Sequence, residues 1–280
     1  MVIGAKGQLG TDLFKVFDSK NVIGLTHEEI EVERPESCKI LRKNFPELII
    51  NTAAFHKTDA CEDDPEKTFL VNAVGAKNIA ETCSEINATV VYISTDYVFD
   101  GSKNVPYNEY DTPNPINTYG ISKLAGEYYT KLAKKHYIIR MASLFGVVGA
   151  SGKGGNFVET MISKARSVEE LKVVNDIIMS PTYTKEAAIM VKSIIENVLP
   201  FGVYHVTNKG YCSWYEFAKT IFELLNMDVG LKPIKASSLS TKAKRPPFSA
   251  LDSVKLKNHG FEMNTWKEAL KNYLIEKGYY

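Results

Sequence analysis

Cysteine is scarce in this chain, and an excess of either charge is scarcer. Four cysteines, Cys38, Cys61, Cys83 and Cys212, stand in 280 residues, and none forms a Cys-x-x-Cys pair. No disulfide framework is expected at that density. The four read as reduced, mostly buried thiols of a cytoplasmic protein. Long apolar runs are also missing. None reaches the ~18 residues of a membrane span. The N-terminus lacks the charged stretch and apolar core of a secretion signal. Basic and acidic residues nearly cancel, 34 against 33 for a net charge of +1, and no long run has one sign. Charge therefore supports neither nucleic acid nor a membrane surface as a partner. No His, Cys, Asp and Glu cluster has convincing ligand spacing, so no metal ligands are assigned and a metal role stays open.

What the chain does have is enough apolar content, 44% of residues, for one large core or two lobes. Its first half alternates short apolar runs with helical patterns. Runs at 22–25, 48–50, 90–93 and 137–139 are rich in β-branched or aromatic residues. Such runs suit strands buried on both faces of a parallel sheet. Helices are expected at 8–17, 65–86 and 118–135. Strand and helix in alternation predict an α/β fold of the doubly wound, Rossmann type. The second half is less regular. Strands are expected at 171–174 and 203–206, returning to the same sheet, and helices at 214–225 and 264–276. The basic stretch 241–249 carries Pro246 and Pro247 and reads as an extended loop. The expected organisation is a dinucleotide-binding unit over 1–145, joined by later elements from 171–225. A smaller substrate lobe is expected from 146–170 and 226–280.

The segment Val2-Ile3-Gly4-Ala5-Lys6-Gly7-Gln8-Leu9-Gly10 reads as a strand entering Gly-x-x-Gly-x-x-Gly and then a helix. Glycines let the backbone turn tightly beside a pyrophosphate, and the helix N-terminus offers free N–H groups. The run at 22–25 is followed by Thr26 and His27, with no Asp or Glu at once after it. A carboxylate there would bind the ribose 2′-OH and repel a 2′-phosphate. NADP and NAD both stay open, and Lys20 and His27 are nearby in the sequence without a place in the site.

Tyr-x-x-x-Lys occurs three times, at Tyr119/Lys123, Tyr215/Lys219 and Tyr273/Lys277. Residues four apart share a helix face, so spacing alone does not choose among them. Context does. Thr95 lies directly beyond the apolar run 90–93, at the C-terminal end of a predicted strand, where α/β active sites form. It precedes Tyr119 by 24 residues. A free tyrosine has a pKa of roughly 10, too high for efficient acid–base work near neutrality. A lysine one turn away is expected to lower it. Tyr119 can then protonate a carbonyl oxygen as hydride reaches its carbon, with Thr95 orienting that oxygen. Lys123 can also hold the nicotinamide ribose.

With those motifs in place, the chain resembles the dTDP-4-dehydrorhamnose reductase family of extended short-chain dehydrogenases. Gly7-Gln8-Leu9-Gly10, Asn51-Thr52-Ala53-Ala54, Ser94-Thr95-Asp96-Tyr97-Val98-Phe99 and Tyr119-Gly120-Ile121-Ser122-Lys123-Leu124-Ala125-Gly126-Glu127 carry the resemblance. So do Gly155-Asn156-Phe157, Ser180-Pro181-Thr182 and the stretch from Arg245-Pro246 to Ser249. It implies reduction of the C4 ketone of a nucleotide-linked 6-deoxyhexose with NADPH or NADH, for surface polysaccharide precursors. It implies a catalytic Thr95, Tyr119 and Lys123. Cofactor contacts would fall on Gly4, Gly7, Gln8, Leu9, Thr26, Ala53, Ala54, Phe55, His56 and Ile93, together with Tyr119 and Lys123. The sugar nucleotide would meet Thr95, Asp96, Ser143, Asn156 and Arg245. Ser143 stands where the family has a tryptophan against the sugar, and the loop after it is lengthened over 147–153. A homodimer stays open. Two alternatives share much of this pattern: a nucleotide-sugar epimerase or dehydratase, and a non-catalytic NADP-binding regulatory subunit.

Overall fold

The computed structural model describes residues 1–17, 21–149, 155–168 and 170–280. Six strands form a parallel sheet. They are β1 (Val2–Ile3), β2 (Gly24–Leu25), β3 (Leu48–Asn51), β4 (Thr89–Thr95), β5 (His136–Met141) and, much later in the chain, β10 (Gly202–His205). Their order is β2-β1-β3-β4-β5-β10. Both faces are covered, which is why the strands read as unbroken apolar runs. Val2, Ile50, Val91 and Ile139 point to a core shared with Leu9, Leu13, Ala187 and Val191. Ile3, Leu25, Ile49 and Val90 point to the opposite core, with Ile79, Ala80 and Cys83. The order reverses around β1, and the crevice beyond the strand ends at such a reversal is where ligands bind in these sheets. All four cysteines are buried, and none is in a disulfide.

The helix expected at 65–86 is present with a defect inside it. Pro65–Phe69 and Gly75–Glu85 are α-helical, but Leu70–Val74 between them is a π-turn. Such bulges free a carbonyl from the helical ladder, and that of Asn72 accepts the Tyr92 hydroxyl at 2.9 Å. The helix expected at 118–135 stops at Thr130, ahead of β5.

The remaining strands are β6 (Leu144–Phe145), β7 (Glu170–Val174), β8 (Ile178–Met179), β9 (Thr182–Tyr183), β11 (Cys212–Ser213) and β12 (Gly230–Ile234). They pair two by two outside the main sheet. The return of 203–206 to the sheet is borne out: Val203, Tyr204 and His205 pair in parallel with Ile138, Ile139 and Arg140. The return of 171–174 is corrected. That strand pairs with β12 instead. Glu170 and Lys172 are exposed while Leu171 and Val173 are buried, a period-2 pattern suited to a strand with one wet face. The division of 171–225 follows from this. The helix Thr184–Glu196 and β10 pack with the main sheet. Strand β7 and the helix Trp214–Leu224 join a second core around Phe145, Tyr183, Phe217 and Tyr273. The helices Trp214–Leu224 and Trp266–Glu276 both open with full capping boxes, Ser213 with Glu216 and Thr265 with Glu268.

Candidate active site

Strand β4 delivers Thr95 to the C-terminal edge of the sheet, and the helix Thr118–Thr130 lies across it. The helix is capped by Asn117, whose side-chain oxygen accepts from Gly120 N at 2.8 Å. Close approach requires Gly126: a Cβ there would sit 2.3 Å from the Tyr92 hydroxyl and 2.4 Å from the Asn72 carbonyl oxygen. The helical stripe Tyr119, Lys123, Glu127 then faces three successive strand residues. Tyr119 hydrogen-bonds Thr95, the Lys123 ammonium donates to the Ile93 carbonyl at 2.6 Å, and Glu127 accepts from the Ser94 hydroxyl at 2.6 Å.

The Thr95 hydroxyl donates its one proton to Asp96 at 3.0 Å, so toward Tyr119 it is an acceptor. Asp96 is buried, and its other oxygen accepts from the Ser249 hydroxyl at 2.5 Å. Burial pushes the Asp96 carboxyl up to about 6, against the opposing hydrogen bonds from Ser249 and Thr95. Lys123 is 2% exposed and lies 3.9 Å from the centre of the Tyr92 ring. Burial pushes its ammonium down to about 7. Tyr119 moves opposite to the sequence expectation. Burial raises its hydroxyl above the ordinary tyrosine value; the Thr95 hydrogen bond opposes this and the nearby Asp96 adds to it. The Lys123 ammonium is held at the Ile93 carbonyl and the Tyr92 face, so it does not act as the expected counter-charge.

From Tyr119 the site continues to the stretch around Arg245. The Tyr97 ring meets Tyr119 edge-on at 6.0 Å between centres, and its hydroxyl pairs with Arg245. The Arg245 guanidinium is 3.3 Å from Asp59 on the helix Thr58–Asp63. The stretch around it is fastened across the crevice. Lys242 pairs with Asp63, Ala243 N donates to Asp59 at 3.0 Å, and Asn117 donates to the Lys244 carbonyl at 2.8 Å.

The glycine loop lies at the strand-order reversal. Gly4 turns with φ +80°, and a Cβ on Gly10 would fall 2.1 Å from the Gly4 carbonyl oxygen. The helix Gln8–Val16 has no side-chain cap and no acidic residue in its first turn. The Gln8 side chain is buried, yet its Nε2 has no hydrogen-bond partner. An uncapped helix N-terminus, a bare glycine cradle and an orphaned amide together fit the diphosphate of a dinucleotide. Beside it, Phe55 N donates to Asn72 at 2.8 Å and Asn72 returns a bond to the Phe55 carbonyl at 3.0 Å, shaping the 53–56 loop. His56 Nδ1 lies 3.5 Å from the Ala54 carbonyl.

Comparison with known proteins matches this geometry to a family. A family model described as RmlD substrate binding domain covers residues 1–278. A dTDP-4-dehydrorhamnose reductase of Aggregatibacter actinomycetemcomitans is 34% identical, over 97% of each chain. The chain belongs to the dTDP-4-dehydrorhamnose reductase family. It is also 38% identical to the spore coat polysaccharide biosynthesis protein SpsK of Bacillus subtilis, over 99% of this chain and 97% of that one. A crystal structure of the Bacillus anthracis dTDP-4-dehydrorhamnose reductase in complex with NADP superposes with a TM-score of 0.93 at 37% identity, covering 98% of both chains. The fold is therefore Rossmann-type.

Two residues implied by the resemblance are engaged by their local surroundings. Asn156 caps the helix Phe157–Ala165, and its amide also donates to the Gly146 carbonyl at 2.8 Å and the Tyr273 hydroxyl at 3.1 Å. Its side chain is thus engaged inside the second lobe. Ser143 occupies the left-handed region with φ +43°, and its carbonyl accepts from Thr182 N at 3.2 Å. The unused tyrosine motifs are accounted for: Tyr273 is buried in the second core and donates to Glu159, and Tyr215 packs against the same core. Lys20 and most of the 147–153 loop lie outside the described residues.

Several residues that shape the site either lie outside the family motifs or, like Ser249, have no assigned role within them. Asn72 joins the Phe55 loop to Ser122, through a bond of 3.0 Å to the Ser122 hydroxyl. Ser249 reaches Asp96. Glu29 closes on Thr26, accepting from its N at 2.7 Å and its hydroxyl at 2.9 Å. A carboxylate therefore stands three residues after position 26, bonded back to Thr26. The Thr-x-x-Glu spacing of a capping box was its available signal. A negative group there opposes a 2′-phosphate, so Glu29→Gln is expected to raise the NADPH/NADH ratio of kcat/KM several-fold, on the order of 1 kcal/mol in binding. Steady-state rates with both cofactors check this; an unchanged ratio would show that Glu29 does not reach the ribose.

Proposed function

We propose that the protein reduces the C4 ketone of a nucleotide-linked 4-keto-6-deoxyhexose with NADPH or NADH, in the synthesis of surface polysaccharide precursors. The observation that carries this reading is the Thr95–Tyr119 hydrogen bond at the end of β4, with Lys123 held beside it at the Ile93 carbonyl. Bound reduced nicotinamide supplies the hydride. The chain's part is to place and protonate the ketone. Tyr119 keeps its proton through the neutral range, because burial holds its hydroxyl up, and gives that proton to the C4 oxygen. Thr95, anchored through Asp96 to Ser249, sets where the Tyr119 hydroxyl points. Lys123 offers its remaining N–H groups to the nicotinamide ribose. Arg245 is only loosely paired with Asp59, with no contact under 3.3 Å, and can exchange that partner for the sugar nucleotide's diphosphate.

The reading carries a cytoplasmic location, consistent with four cysteines outside any disulfide. No helix among the described residues is long and apolar enough to cross a membrane. The test is direct. Purified protein given dTDP-4-keto-6-deoxy sugar should oxidise NADPH or NADH and release a sugar nucleotide reduced at C4. No cofactor oxidation across a panel of 4-keto sugar nucleotides would overturn the reading.

A further inference from the structure

We propose that Glu127, clamped by Arg140 and Ser94, is a positioning residue that keeps Lys123 charged and fixed at the Ile93 carbonyl. The proposal rests on the reading of Lys123 as part of the active site.

Glu127 follows Lys123 by one helical turn, on the same face. It is 0% exposed, and Arg140 is 2% exposed. The guanidinium grips the carboxylate with two bonds, Nε to Oε1 at 2.8 Å and Nη2 to Oε2 at 2.7 Å. Ser94 adds a third, at 2.6 Å. Arg140 stands on β5 directly across the sheet from Ser94 on β4. The carboxylate is therefore fixed by two strands, while its own helix carries Lys123 and Tyr119.

Docking a helix on a sheet does not require ions. A buried ion pair is often no more stable than an apolar set of equal volume. A carboxylate in this position does something an apolar side chain cannot. Lys123 is itself buried, and burial favours loss of its proton. Several titratable groups surround the Tyr119–Lys123 face: Tyr92 on β4, Asp96 and Tyr97 beyond it, Cys61 on the helix Thr58–Asp63, and Arg140 on β5. Glu127 is the one that opposes burial at Lys123. His205, across the sheet from Arg140, stays neutral, because burial and the Arg140 charge hold it down at about 3. The pair therefore does not switch with His205 near neutrality. Ile93, Ser94 and Thr95 receive Lys123, Glu127 and Tyr119 respectively, so the Glu127 anchor also sets the register of the two residues that face the ligands.

The experiment follows the ionisation of Lys123 by nitrogen-15 NMR in the cofactor-free full-length protein, with Lys123→Arg to identify the resonance. Wild type, Glu127→Gln, Glu127→Asp and the double variant Glu127→Gln/Arg140→Met are compared. The midpoint should fall by about one pH unit or more in Glu127→Gln. It should fall similarly in the double variant, which strands neither Arg140 nor Glu127 and so separates the effect from misfolding. Glu127→Asp should recover most of the wild-type value. The alkaline limb of kcat/KM for the cofactor should move down with the midpoint. An unchanged midpoint in folded Glu127→Gln and in the double variant would overturn the proposal and leave Glu127 a structural residue only. If wild type reduces no keto sugar while the midpoint still moves, the proposed substrate falls and the role of Glu127 stands.

Discussion

Tyr119→Phe is expected to lower kcat by about 10²- to 10⁴-fold, the usual range for removing a general acid. The change deletes one hydroxyl and little else. The ring keeps its edge contact with Tyr97, and the helix keeps its Asn117 cap and its approach at Gly126. Thr95 loses a donor but still binds Asp96 and Tyr97 N. Melting temperature and the KM for the nicotinamide should therefore change little while turnover collapses. Because burial holds the Tyr119 proton on, wild-type kcat should show no loss of the acid form in the neutral range. Steady-state kinetics with a 4-keto sugar nucleotide, paired with thermal unfolding, checks both parts. A variant with normal turnover would remove Tyr119 from the chemistry.

The second large effect is on stability. Arg140→Met should destabilise the protein by about 3–5 kcal/mol, because it strands the fully buried Glu127 carboxylate without its partner. A drop of roughly 10 °C in melting temperature is expected for a chain of this size. The sign with pH follows from the same cause. An unpaired buried carboxyl has its folded-state pKa raised above the unfolded value, so the deficit grows as pH rises through that range and shrinks as pH falls. Adding Glu127→Gln removes the stranded charge and should recover most of the loss. Denaturant unfolding of the two single variants and the double variant measures the coupling. If Arg140→Met and the double variant are equally unstable, the pair is not coupled.

Much of the fold was legible locally. The unbroken apolar runs at 48–50, 90–93 and 137–139 mark strands covered on both faces, and β3, β4 and β5 include them. The glycine spacing at the start of the chain predicts the tight turn that Gly4 and Gly10 make. Among three Tyr-x-x-x-Lys pairs, the hydroxyl at the end of an apolar run singled out Tyr119 and Lys123. The failures share a cause. For 171–174, apolar content suggested the main sheet, whereas the exposed Glu170 and Lys172 left it only an edge partner, β12. For Tyr119, the neighbouring lysine suggested a lowered pKa, whereas burial governs and raises it.

Sequence alone determined the alternation of strand and helix, the glycine turn and the Thr95–Tyr119–Lys123 set, because each depends on residues a few positions apart or on the period of a single element. Only tertiary structure decided how those residues are held. Glu127 meets Arg140 and Ser94, Asp96 meets Ser249, Asn72 meets Phe55 and Ser122, and Arg245 meets Asp59. Each pair joins elements distant in the chain, and burial, which acts on all of them at once, sets the ionisation of Asp96, Tyr119 and Lys123.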